Sequence, residues 1–130
     1  MRKGVLSDQQ GFTLLEMLLV VSIVSVLAAV AVPRFNNAIM LANTARVQSD
    51  LQVLNSAIVL YQAEKGSYPT EIANLGDYVQ DIGNVKPPKG TCRLKDGSTI
   101  DITETDYKIA EGGQEATCQG KKLSEFGRKD

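Results

Sequence analysis

The sequence predicts an α+β fold: one long N-terminal helix, apolar in its first half, packed on a small antiparallel sheet. Three observations predict it. Residues 12–33 are apolar on every face, residues 47–61 carry a one-sided apolar stripe, and beyond residue 90 short alternating runs are separated by turn dipeptides. The chain has 130 residues and a formal net charge of −1. That bounds it to one modest domain plus the apolar segment, without a global basic field to draw in nucleic acid. It contains no histidine, which removes the commonest general base and the commonest zinc ligand.

The run from Phe12 to Pro33 makes a helix of roughly 33 Å, enough for a hydrocarbon core of about 30 Å. Three readings compete. A buried core helix of a soluble domain is disfavoured, because too little chain remains to wrap a helix apolar all round. An ordinary secretory signal peptide has Arg2 and Lys3 in front and a small-residue exit at Ala29-Val30-Ala31. Against it stand the polar stretch Gly4–Gln10, which carries Asp8, and Glu16 at the opening of the run. The third reading is a retained helix behind a short removable leader.

Gly11-Phe12-Thr13-Leu14-Leu15-Glu16, followed by an unbroken apolar run, resembles the processing site of type IV prepilins and type II secretion pseudopilins. The resemblance implies cleavage after Gly11 by a membrane-embedded prepilin peptidase and methylation of the new amino terminus at Phe12. It makes Glu16 the residue that guides assembly and implies a type IV pilin-like fold. It divides the chain into a leader (1–11), a membrane and filament-core half of the helix (12–33), an amphipathic half (34–65) and a small head (66–130). Basic residues flank the span on both sides, Arg2 and Lys3 before it and Arg34 and Arg46 after it. Charge asymmetry therefore orients it weakly, and the inward amino terminus rests on the resemblance.

The carboxylate has a physical rationale. An acid in the apolar layer is unfavourable and is usually functional and paired; in an isolated subunit Glu16 would snorkel to the headgroups. Cleavage exposes the α-amine of Phe12 at the same apolar end, about 6 Å away along the axis. A neighbouring helix shifted along its axis would set its amine against Glu16, and in low dielectric the pair is favoured over either ion alone. Pro33 lacks an N–H and crowds the carbonyl four residues back, so it is expected to kink the helix or to mark the end of the span.

Beyond Pro33, Val47, Leu51, Leu54, Ile58 and Tyr61 form one helical stripe expected to cover a sheet, a coiled-coil partner being the alternative. Gln48, Asp50, Gln52, Asn55, Ser56 and Gln62 fill the other positions, and Ala38, Ala42 and Ala45 make a small-residue strip suited to close helix approach. Gly66 and Pro69 stop the helix at about Glu64, and Gly66-Ser67-Tyr68-Pro69 also resembles the family. Thr70 is expected to cap a turn through Leu75. Three or four short strands follow: Thr91–Leu94 and Ser98–Thr103 around Asp96-Gly97, then Tyr107–Ala110 and Ala116–Cys118 around Gly112-Gly113.

Cys92 and Cys118 lie beyond the span, where an exported chain oxidises its thiols. Without CxxC spacing or a histidine, a structural disulfide is expected rather than a redox pair; it resembles the pilin disulfide that bounds a carboxy-terminal loop. Asp96, Asp101, Glu104 and Asp106 are weak calcium candidates against a solvated strand face. Lys121, Lys122, Arg128 and Lys129 read as a frayed tail, with nucleic-acid contact unsupported. No nucleophile–base pair, phosphate loop or metal cluster appears, so neither enzyme activity nor a cofactor is expected.

The resemblance implies a filament subunit. It is a single-pass cytoplasmic-membrane protein with its head outside, then part of an extracellular or periplasmic helical homopolymer. Its implied partners are the peptidase, a polytopic platform protein and a cytoplasmic assembly ATPase. A pilin serving adhesion, motility or DNA uptake and a type II secretion pseudopilin both fit; the rival of another class is a secreted small binding domain behind an ordinary signal peptide.

Overall fold

The computed structural model describes residues 11–130. The rest of the expected leader, with Arg2 and Lys3, lies outside the described residues. The chain divides into two compact units, residues 1–36 and 37–130, and helix α1 (Leu14–Lys65, 52 residues) contributes to both.

In the first unit α1 starts with a reciprocal cap. The Glu16 amide donates to Thr13 Oγ1 (3.1 Å), and the Thr13 amide donates to Glu16 Oε2 (3.4 Å). Those contacts answer donors that a helix start leaves without partners. Ser22 and Ser25 return their hydroxyls to the carbonyls of Leu18 and Val21, each at 2.7 Å, so neither asks for an outside partner in an apolar layer. The helix continues through Pro33.

In the second unit Val47, Leu51, Leu54 and Ile58 are fully buried, as their spacing predicts. They meet Leu75, Cys92, Ala116, Cys118 and Phe126 in one core. Each such side chain contributes about 1.5–3 kcal/mol by leaving water. Tyr61 is half-buried and packs edge-on against Tyr78, with ring centroids 6.0 Å apart. The helix ends at Lys65, with Gly66 left-handed (φ 75°) immediately after it.

The head has five short strands in two sheets rather than three or four in one. Strand β1 (Gly90–Arg93) pairs antiparallel with β2 (Thr99–Ile102), Cys92 opposite Ile100. Strand β4 (Ala116–Cys118) lies between β3 (Lys108–Ile109) and β5 (Lys121–Lys122), both antiparallel to it. The Asp96-Gly97 and Gly112-Gly113 turns fall where expected. Gly113 is required on two counts: its φ is +75°, and a Cβ there would lie 2.6 Å from that of Tyr68.

Two expectations are corrected. Thr70 is not the acceptor that caps the 3-10 turn Ile72–Leu75. Asn74 reaches back, and its Oδ1 accepts from the amides of Thr70 (3.2 Å) and Glu71 (3.0 Å). The tail is not frayed at its start, because β5 and a 3-10 turn, Leu123–Glu125, carry Phe126 into the core at 0% exposure. Phe126 also bridges to Leu94. Several polar positions of α1 also bind the head. Gln48 Nε2 donates to the Phe126 carbonyl (3.0 Å), Asn55 Oδ1 accepts from the Ala116 amide (2.8 Å), and Tyr107 donates to Asp50 Oδ2 (2.6 Å).

Because Phe126 closes the core from the far end of the chain, Phe126→Ala should cost about 3–5 kcal/mol. Denaturant unfolding of the detergent-solubilised full chain checks this; a loss below about 1 kcal/mol, the range of ordinary surface changes, would show the tail to be dispensable.

Candidate functional site

The amino-terminal end of α1 brings Gly11, Phe12 and Glu16 together in sequence and leaves them open to solvent. Phe12 is 81% exposed and Leu14 is 79% exposed, and every large apolar side chain through Val32 is likewise exposed. The most apolar window of α1 has mean hydropathy 2.6 and is 0% buried. Such a surface is unstable in water and calls for lipid or other helices. A Cβ at Gly11 would meet nothing within 4 Å, so crowding does not account for this glycine.

Glu16 is already engaged, which the sequence reading overlooked. The Thr13-x-x-Glu16 spacing is a capping-box pattern legible in the sequence, and the model forms both of its hydrogen bonds. The 3.4 Å arm is long for a charge-assisted bond, so a full positive charge would be a stronger partner for the carboxylate than one backbone N–H.

Cys92 on β1 and Cys118 on β4 are both fully buried. The two cysteines therefore lie on different sheets. Burial pushes the Cys118 thiol up to about 12, and the neighbouring Cys92 adds to the shift. Burial raises Cys92 too, partly offset by a hydrogen bond with Thr44. Thr44, buried at 3% exposure, also accepts from the Arg93 amide at 2.8 Å. Its position next to the apolar stripe was not legible as a core site, because threonine is ordinarily polar surface.

The calcium candidates are not assembled into one site. Asp96 accepts from the Ser98 amide (2.7 Å) and hydroxyl (2.6 Å), which hold its carboxyl below the usual range. Asp101 accepts from Thr91 Oγ1 (2.6 Å). Glu104 accepts from the Gln119 amide (2.9 Å) and pairs with Lys108 (2.8 Å). Asp106 pairs with Lys86, which lowers its pKa. Among the described residues no group of three or more acids or cysteines comes together to hold a metal. Gln119, left-handed at φ 52°, answers Glu104 by accepting from the Thr103 and Glu104 amides (3.1 and 3.0 Å). This pair thus joins the end of β2 to the β4–β5 turn. Two lysines assigned to the tail are also in ion pairs, Lys121 with Glu125 (3.6 Å) and Lys122 with Glu115 (3.0 Å).

Comparison with known proteins decides what this end of the helix is. Residues 6–32 match the prokaryotic N-terminal methylation motif. Over 112 residues the chain is 31% identical to fimbrial protein Q of Moraxella bovis, covering 86% of this chain and 70% of that one. It is 30% identical over 111 residues to the type II secretion system core protein G of Klebsiella michiganensis, covering 82% and 77%. The chain belongs to the type IV pilin and pseudopilin family. A type IV major pilin of Neisseria gonorrhoeae is also 31% identical, over 94% of this chain and 64% of its own length. No solved structure matches this chain. The fold is the expected α+β arrangement of one long helix and small antiparallel sheets, and the exposed apolar half of α1 fits a membrane-anchored precursor.

The raised thiol pKa values have a signed consequence for the reduced chain. A group whose pKa is higher folded than unfolded stabilises the fold below its unfolded value, here about 8.5 for a thiol. That stability is lost as pH rises towards the folded value. The reduced chain should therefore weaken between pH 8 and 10.5 more steeply than a Cys92→Ser/Cys118→Ser variant, as read from denaturant midpoints. Parallel pH profiles would show that burial leaves these thiols unperturbed.

Proposed function

We propose that this chain is a structural subunit of a type IV pilus-type filament. A prepilin peptidase removes residues 1–11 and methylates Phe12, and the subunit waits in the cytoplasmic membrane with its head outside. A platform protein and an assembly ATPase then draw it into a helical homopolymer; the subunit catalyses nothing itself. The observation that carries this reading is a carboxylate-bearing, capped helix start at the mouth of an apolar segment that the described residues leave uncovered. A type II secretion pseudopilin is the second reading, favoured by the likeness to core protein G. Surface filaments lost on deletion distinguish a pilus from a secretion pseudopilus.

Docking follows from the geometry of the charges. In the precursor, Phe12 N is a peptide nitrogen, and among the described residues Glu16 accepts from the Thr13 amide. After cleavage the same nitrogen is a cation. The amine of an incoming subunit, shifted by about 6 Å along the axis, replaces a long backbone contact with an ion pair inside an apolar bundle. Pro33 leaves the Ala29 carbonyl without its helical partner and so marks the point where α1 bends most easily in the crowded core. In the head, Cys92 and Cys118 close a structural disulfide that staples the two sheets.

Amino-terminal sequencing of mature protein should begin at methylated Phe12; a start at Val32 would instead identify an ordinary secreted domain. Glu16→Ala should be processed normally yet be missing from sheared filaments, and normal polymerisation would overturn the docking role. The disulfide should add about 3–4 kcal/mol over the Cys92→Ser/Cys118→Ser chain under oxidising conditions. Two free thiols in native exported protein would remove it.

A further inference from the structure

We propose that residues 11–17 act as a helix-start signal that keeps the Gly11–Phe12 peptide bond extended for the peptidase, with Thr13 as the positioning residue. The proposal rests on the processing reading above and adds how the chain presents the bond to be cut.

Residues 11–13 lie outside α1 and are exposed. The first helical bond runs from the Met17 amide to the Thr13 carbonyl, at 3.2 Å. That makes Thr13 the N-cap, Leu14 the first helical residue and Glu16 the third. The residues around the cap complete the signal. Thr13 and Glu16 close the capping box. Phe12 precedes the cap and Met17 is the fourth helical residue, the two places of a hydrophobic staple. They line one groove, and Met17, at 43%, is the least exposed large apolar side chain between Phe12 and Val32. Gly11, one residue further out, is the poorest helix former short of proline.

The box occupies the groups that a longer helix would need. To lengthen α1 by one residue, the Glu16 amide must turn to the Phe12 carbonyl, yet Thr13 Oγ1 holds it at 3.1 Å. To run further upstream, the Thr13 amide must find a helical carbonyl, yet Glu16 Oε2 holds it. Among the described residues the Gly11 and Phe12 carbonyls accept no backbone hydrogen bond. Hydrolysis adds water across this bond, leaving a carboxylate on Gly11 and an amine on Phe12. A helical peptide unit would have its carbonyl and amide tied into the ladder instead. In a bilayer an uncapped start cannot fray inwards, because the freed backbone groups would face lipid. The helix grows outwards over the scissile bond, each added residue gaining a hydrogen bond. The Glu16 arm is the longer, at 3.4 Å, so Glu16→Ala keeps the main cap and its normal processing.

Cleavage of the full-length precursor by a prepilin peptidase in lipid vesicles tests this. Thr13→Val keeps the side chain's shape and removes its hydroxyl. It should lower kcat/KM about fivefold, the population shift that one lost cap produces, with the loss in KM. Thr13→Ser restores a capping hydroxyl and should be cut at the normal rate. Thr13→Val/Leu14→Pro should recover most of the loss. Proline suits the first helical position and disfavours helical backbone in the residue before it, so it fixes the start without a hydroxyl. Normal cleavage of Thr13→Val overturns the proposal. So does normal cleavage of Thr13→Ser beside a proline variant that recovers nothing, because the peptidase would then be reading the hydroxyl itself. If the unaltered precursor is not cut after Gly11, the processing reading falls; if it is cut and Thr13→Val is cut as fast, only the helix-start role falls.

Discussion

None of the described residues covers the apolar half of α1. Its large side chains through Val32 are exposed, at values from 43% to 81%. No arrangement of so small a head could enclose a helix apolar on every side. Such a segment calls for a non-aqueous surrounding, lipid or other helices. The features around it answer that need: internally bonded serines that ask nothing of a neighbour, and a start capped by Thr13 and Glu16.

The head solves a different problem on the same helix. Its strands are two to four residues long, and sheets so small have little independent stability. They depend on α1 twice, through the buried stripe and through side chains that bond strand-flanking backbone. Thr44, Gln48 and Asn55 each complete a main-chain hydrogen bond on a different part of the head. Tyr107, at 3% exposure, places its hydroxyl on Asp50. Removing such a partner costs more than the bond itself is worth, because a buried polar group is then left unsatisfied.

Much of the molecule was legible in the sequence because its signals are periodic or locally coded. The span shows in composition, the stripe Val47–Ile58 in its spacing, and the Asp96-Gly97 and Gly112-Gly113 turns in residues that tolerate positive φ. Thr13 was legible as well, since its capping-box spacing to Glu16 is local, but attention to the charge of Glu16 obscured its place at a helix start. Phe126 was not legible. One aromatic residue amid charged neighbours carries no period, and only the closing of β5 onto β4 turns it inward.

By itself the sequence determined the α+β class, the extent of the long helix and the apolar composition of its first half. These follow from interactions between neighbours along the chain: propensity, periodicity, turn chemistry and charge. Only the tertiary structure decided that the strands divide into two sheets, that Cys92 and Cys118 lie on different ones, and that the four acids serve separate partners. It also decided which polar positions of α1 hold the head and which face remains free. Those outcomes depend on contacts between residues far apart in sequence, such as Gln48 with Phe126 and Glu104 with Gln119. Their pairing is set by how the whole core packs, and no local pattern encodes that.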